Sequence, residues 1–193
     1  MKNILLENDI VLLRPIEIGD IEGIRKAAND GRIWEHMSVS LLDLASVESY
    51  VKNAIADREK GITYTFVVIE KKTNRIVGCT SFLDISLPHK RVEIGSTWYQ
   101  PSVWRSAINT NCKFLLLQYG FEELQLNRIQ IKTGHENIRS QQAIERIGAV
   151  KEGILRNHMI RKEGTIRHTV MYSIVAEEWE KVKAKFTQEL LNP

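Results

Sequence analysis

The sequence predicts one mixed α/β domain, on three observations: its length and composition, the alternation of strand-like and helix-like periodicities, and the lack of any linker. The chain has 193 residues, 43% of them hydrophobic and 26% charged. That is enough to bury a core without disulfide staples, and too apolar for a disordered chain. Its four prolines are scattered, and no repeat, low-complexity tract or Pro/Gly-rich stretch divides it, so residues 1–193 read as a single domain. No apolar run approaches the roughly 20 residues that span a bilayer, and the first residues lack the apolar centre of a signal peptide. A cytoplasmic location is therefore expected. The two cysteines, Cys79 and Cys112, lie in apolar surroundings and read as reduced core residues. Lys plus Arg total 27 against 24 Asp plus Glu, a net charge of +3. This small excess makes no basic stripe, and aromatics are not interleaved with the cations, so direct nucleic-acid binding lacks support.

Residues 10–14 read as a short strand closed by Pro15, which has no N–H for a ladder. Asp20 reads as a helix N-cap, with Ile21, Ile24 and Ala28 recurring at helical spacing behind it. Asp43 opens a second helix whose stripe is Leu44, Val47, Val51 and Ile55, and Gly61 ends it. Residues 64–69 and 75–82 are β-rich runs joined by the hairpin turn Lys71-Lys72-Thr73-Asn74. A strand over 91–98 follows, with Val92, Ile94, Ser96 and Trp98 facing one way and Glu93, Gly95 and Thr97 the other. The loop 99–108 leads into an apolar-striped helix over 109–123, with Cys112, Leu115, Leu116 and Tyr119 on one face. Then come a strand over 128–132, a helix over 137–147 stopped by Gly148, and strands over 150–156 and 166–175. A last helix over 176–190 turns Trp179, Val182, Phe186 and Leu190 inward. Strands first, then β-α-β-α-β, then a hairpin, make a mixed sheet with one crossover region.

The stretch from Glu93 to Asn109 carries the most chemistry. A loop that leaves a strand and opens a helix presents free backbone N–H groups with the positive end of the helix dipole behind them, a site for phosphate. Such loops usually place glycine there for close approach. Here Arg105-Ser106-Ala107 occupies the turn, where Arg105 can compensate with charge-assisted hydrogen bonds. The plainer reading is a connection packed by Trp104. Downstream, Asn137 and Ser140 stand one turn apart at the start of a helix. They read either as an N-cap with a small packing residue or as two polar groups directed at a common ligand.

The order Glu93-Ile94-Gly95, then Trp104-Arg105-Ser106-Ala107-Ile108-Asn109-Thr110, then Asn137-Ile138-Arg139-Ser140 with Gly148-Ala149, resembles the GNAT acyltransferases. More narrowly, it is similar to the branch of ribosomal-protein N-terminal (alanine/serine) acetyltransferases. The closing stretch, Gly164 to Arg167, Met171-Tyr172-Ser173 and Glu178-Trp179, is similar to the end of that branch, so the likeness runs over about residues 10–190. It implies a mostly antiparallel mixed sheet of about seven strands with a splayed centre, flanked by helices on both faces. It implies acetyl-CoA as acetyl donor and no metal. The pantetheine arm would lie along Thr97, Trp98 and Tyr99. The pyrophosphate would rest on the turn from Arg105 through Ser106, Ala107, Ile108 and Asn109 to Thr110, beside Trp104, with Asn137 and Ser140 approaching from the other side.

The chain departs from the family pattern twice. The glycine-rich turn has become Arg-Ser-Ala, and the tyrosine that many members use as an acid for the departing thiolate falls at Ile144, leaving Ser140 as the candidate acid. Glu93 is the candidate general base, directly or through water; its alternative is an ion pair with Arg91 or another surface cation. The resemblance also implies an oxyanion donor in the strand N–H groups near Tyr99. Trp34 and His135 are the candidate acceptor contacts. Arg156, Arg161, Lys162 and Arg167 form a late basic cluster, either a solvated face or a site for an acidic acceptor. The activity implied is acetyl transfer to a primary amine, foremost a protein N-terminal α-amine such as a ribosomal protein's. An α-amine, with pKa about 7.7–8.0, is neutral in roughly a tenth of molecules at pH 7, whereas a lysine amine at about 10.4 is almost wholly charged. A small amine (polyamine, amino acid or antibiotic) as acceptor, and a catalytically silent acetyl-CoA sensor, are the alternatives. The resemblance also implies a homodimer, and neither a membrane nor a nucleic acid is an expected partner.

Overall fold

A computed structural model describes residues 3–161 and 164–191; Lys162 of the basic cluster lies outside them. The elements follow the chain as β1 (Leu6–Glu7), β2 (Val11–Pro15), α1 (Ile21–Ala28), α2 (Leu44–Glu59), β3 (Tyr64–Glu70), β4 (Arg75–Ser86) and β5 (Arg91–Tyr99). After these come α3 (Ile108–Gln118), β6 (Arg128–Gly134), α4 (Ile138–Arg146), β7 (Val150–Ile160), β8 (Ile166–Val175) and α5 (Trp179–Lys185). The strands form one open sheet in the order β1-β2-β3-β4-β5-β6-β8-β7. The eighth strand, absent from the sequence reading, is β1; two residues are too few to show a period of two. Every described strand pair is antiparallel except β5 with β6, which run parallel.

Two apolar layers flank the sheet. On one face, α3, α4 and α5 pack on Phe66, Phe82, Val92, Ile94, Ile129 and Tyr172. On the other, α1 and α2 cover the first half of the sheet over Val67, Cys79 and Trp98, which leaves that face of β6, β8 and the Glu93 end of β5 without a covering helix among the described residues. Both cysteines are free thiols in the interior, where burial pushes Cys79 up from its ordinary pKa and Cys112 up to about 12. No helix among the described residues is long and apolar enough to cross a membrane.

Asp43 caps α2 as its sequence suggests, accepting from the Ser46 N–H at 2.8 Å. Asp20 does not cap α1. Its buried carboxylate takes two hydrogen bonds from the Arg14 guanidinium, at 2.5 and 2.8 Å, and a third from the Glu17 N–H at 2.8 Å. Charge-assisted bonds of that kind outweigh a single cap bond.

Candidate active site

The site begins where β5 and β6 part. The two strands pair only over Arg91–Glu93 and Arg128–Gln130, yet β5 continues to Tyr99 and β6 to Gly134. Beyond Glu93 and Gln130, β5 and β6 have no ladder between them, and the gap opens into the middle of the sheet. Glu93 therefore stands at its vertex. Its carboxylate is 1% exposed, ion-paired with Lys132 Nζ at 3.0 Å and accepting from Gln130 Nε2 at 3.2 Å. Of the alternative partners, Arg91 pairs instead with Asp84, and the other cation that the sequence left open is Lys132. Gly95 leaves the room into which the carboxylate folds, since a Cβ there would stand 2.9 Å from Glu93 Oε1.

Past Glu93 the strand changes face. Opposite β4, Gly95 pairs with Ser81 and Trp98 with Cys79, so two residues of β5 face one of β4. This is a β-bulge, with Ser96 at φ +46°. Simple alternation predicts Trp98 on the side of Val92 and Ile94; the bulge reverses it. Trp98 sits in the opposite layer, 5.3 Å from the Trp34 ring, while Tyr99 joins Val92 and Ile94. Gln100 N–H donates to Val77 O at 2.8 Å, so the next pair inward, Tyr99 with Gly78, is a non-hydrogen-bonded one. The N–H and C=O of Tyr99 are thereby turned away from β4, toward the gap, where the carbonyl accepts from Trp104 Nε1 at 2.8 Å.

A buried polar chain pins the bulge. Lys113 of α3, which the sequence reading passed over, donates to Thr97 Oγ1 at 2.9 Å, and Thr97 Oγ1 lies 2.8 Å from Thr80 Oγ1. Burial without a carboxylate lowers Lys113 to about 8.

The turn that follows adopts a glycine-like backbone without glycine. Arg105 holds φ +61°, in the left-handed region, and residues 105–107 are exposed. Ser106 Oγ donates to Val103 O at 2.6 Å and accepts from the Ile108 N–H at 3.3 Å. Ala107, at the cap position, offers no side-chain acceptor, so the first-turn N–H groups of Asn109 and Thr110 have no acceptor within the helix. Thr110 Oγ1 accepts from Arg146 Nη2 of α4 at 2.7 Å, tying the two helices together.

At the start of α4, Asn137 is an N-cap: its Oδ1 accepts from the Ser140 N–H at 3.0 Å. The Ser140 hydroxyl is half-buried and makes no hydrogen bond among the described residues. The Arg139 guanidinium lies over the Trp104 ring at 4.4 Å and Arg32 lies on the same ring at 5.8 Å. Between these elements runs a groove of about 370 Å³ lined by Arg32, Glu35, His36, Trp104, Glu136 and Arg139, among others. Trp34 does not line the groove; it is buried, with its Nε1 donating to Ala28 O at 3.1 Å. His135 is half-buried beside His168, ring centroids 4.7 Å apart, and its Nδ1 is buried without a partner among the described residues. Ile144, where a tyrosine acid would fall, is a core residue.

Residues 11–150 match the acetyltransferase (GNAT) domain family. The chain belongs to the GNAT acetyltransferases. A GCN5-related N-acetyltransferase from Brucella melitensis superposes with TM-score 0.91 at 26% identity, covering 98% of this chain and 86% of that one. The uncharacterized N-acetyltransferase YoaA of Bacillus subtilis is 28% identical over 178 residues, 89% of this chain and 96% of that protein. YdaF of the same organism, provisionally named a ribosomal N-acetyltransferase, is 32% identical over 105 residues, 54% of this chain and 56% of its own. As a GNAT N-acetyltransferase the chain draws its acetyl group from acetyl-CoA. The residues present suit that cosubstrate: an unpaired strand edge for an extended amide-bearing arm, and exposed N–H groups with Arg105 for a pyrophosphate.

Proposed function

We propose that this acetyltransferase acts on α-amines, foremost the N-terminus of a protein, with Glu93 as general base and Ser140 as acid. The observation that carries the reading is Glu93 at the vertex of the gap, a buried carboxylate held by Lys132 and Gln130. A carboxylate base has far less to do against an α-ammonium at about 7.7–8.0 than against a lysine ammonium at about 10.4. The partial likeness to YdaF points the same way and favours a ribosomal protein as acceptor.

Acetyl-CoA supplies the activated acetyl thioester. The β5 backbone at Thr97 holds its extended arm by hydrogen bonds, and the turn from Arg105 to Thr110 holds its phosphates. Glu93 takes the amine proton, directly or through one water, while Lys132 and Gln130 fix the carboxylate's direction. The Tyr99 N–H, aimed into the gap, stabilises negative charge on the acetyl oxygen. The Ser140 hydroxyl, without another partner among the described residues, donates toward the departing sulfur.

The reading is tested by incubating the protein with acetyl-CoA and three acceptors: peptides with a free α-amine, the same peptides α-blocked with an internal lysine, and a polyamine. Mass spectra should place the acetyl group on the free α-amine. Acetylation confined to the polyamine or to lysine side chains would refute it.

A further inference from the structure

Arg167 lies on the same face of the sheet as Glu93, the face on which no helix packs there. Val170, Tyr172 and Ile174 of β8 point into the core beneath α3–α5, and Arg167 has the opposite parity. Gly134, on the same face as Gln130 and Lys132, has no side chain, and the Arg167 chain crosses that space: a Cβ at Gly134 would stand 3.4 Å from Arg167 Nε. The cations around it are already matched. Lys132 is bound to Glu93, and Arg161 to Glu136. Arg167 has no ion pair among the described residues, and its Nε is buried without a hydrogen-bond partner. Burial and repulsion from Arg161 both lower its affinity for its proton, and only the charge of Glu93 opposes them. A half-buried guanidinium with open donors is costly unless something anionic meets it. The adjacent His135, through its unpartnered Nδ1, adds a further polar atom at the same end of β6.

We infer that the amine acceptor carries a carboxylate close to the reacting nitrogen, and that Arg167 binds it while Glu93 receives the proton. The guanidinium fork matches a carboxylate in two parallel hydrogen bonds. Recognition of this kind turns away simple polyamines, whose extra ammonium groups Arg167 and Lys132 repel. The carboxylate can be an acidic side chain near a peptide's N-terminus or the main-chain carboxylate of a free amino acid. The inference rests on the α-amine reading above and adds to it which α-amines are taken.

Two matched pairs test it: seryl-aspartyl against seryl-asparaginyl peptide amides, and free serine against serinamide. The wild-type protein should favour the acidic member of one pair about ten- to hundredfold in kcat/KM, the scale of a charged hydrogen-bond pair. Whichever pair shows the preference identifies the source of the carboxylate. Arg167→Gln should treat the two members alike, and Arg167→Lys should keep part of the preference. A merely structural role for Arg167 would lower both members together and leave their ratio intact. Equal rates in the wild type, or a ratio unchanged in Arg167→Gln, would overturn the inference. Acetylation of none of the four, and of none of the free-α-amine peptides above, would refute the α-amine reading itself. The binding ratio of each pair to wild type and to Arg167→Gln would then decide Arg167 separately.

Discussion

Glu93→Gln is expected to lower turnover by about 10²–10⁴-fold, the usual contribution of a positioned general base. The substitution keeps the shape and leaves the neighbouring amide, Gln130, able to bond to it, but removes the charge that Lys132 neutralises at the vertex. Some stability will go with that charge, because Lys132 is left without a counterion; its side chain is 31% exposed, so water limits the loss. Lost basicity and lost structure differ in their pH dependence. An α-amine titrates at about 7.7–8.0, so from pH 7 to pH 9 the amine supplies its own neutral form and a base becomes less necessary. The deficit of Glu93→Gln should therefore shrink across that interval. Steady-state rates for both proteins over the range decide the matter: a deficit that stays constant, or turnover within twofold of wild type, contradicts the assignment.

The second large effect is expected at Gly78, on the strand beside the site. A Cβ at this position would stand 2.2 Å from the Trp98 carbonyl oxygen and 2.7 Å from the Tyr99 ring. The first of these is backbone and cannot turn aside, so in Gly78→Ala β5 must move away from β4. Overpacking of this kind costs about 1–3 kcal/mol, and a backbone clash belongs at the upper end. For a domain of this size about 3 kcal/mol lowers Tm by roughly 6–12 °C. The displaced residues are Trp98 and Tyr99, so acetyl-CoA binding should weaken as well. Gly153→Ala, where a Cβ meets nothing within 4 Å, is the matched control. A Gly78→Ala protein that melts with its control would show that the strand is not held as tightly as described.

Much of this site is legible in the sequence, and what is not has physical reasons. Glu93 could be singled out because a charge in an apolar strand is conspicuous, and Asn137 because a cap residue before a helical period is a local signal. The unglycinated turn was visible as a departure, although not the left-handed backbone that Arg105 adopts to make it work. The bulge at Ser96 left no trace, since serine has no marked preference for positive φ, and missing it put Trp98 on the wrong face. Lys113, Lys132 and Arg167 were invisible as partners for another reason. Each matters through a neighbour on a distant element, and only the register of β6 against β5 and β8 brings Lys132 to Glu93 and Arg167 across Gly134. Trp34 illustrates the reverse case: its place after the first helix suggested an acceptor contact, but the aromatic pair it forms with Trp98 belongs to the core.

The central claim is that the gap beyond Glu93 and the uncapped turn at Arg105 together hold acetyl-CoA. A calorimetric titration with acetyl-CoA, repeated at raised salt and with Arg105→Ala, tests it most directly. One molecule bound per chain with micromolar affinity, weakened both by salt and by loss of the Arg105 charge, is the predicted result. No heat of binding at millimolar acetyl-CoA would contradict it.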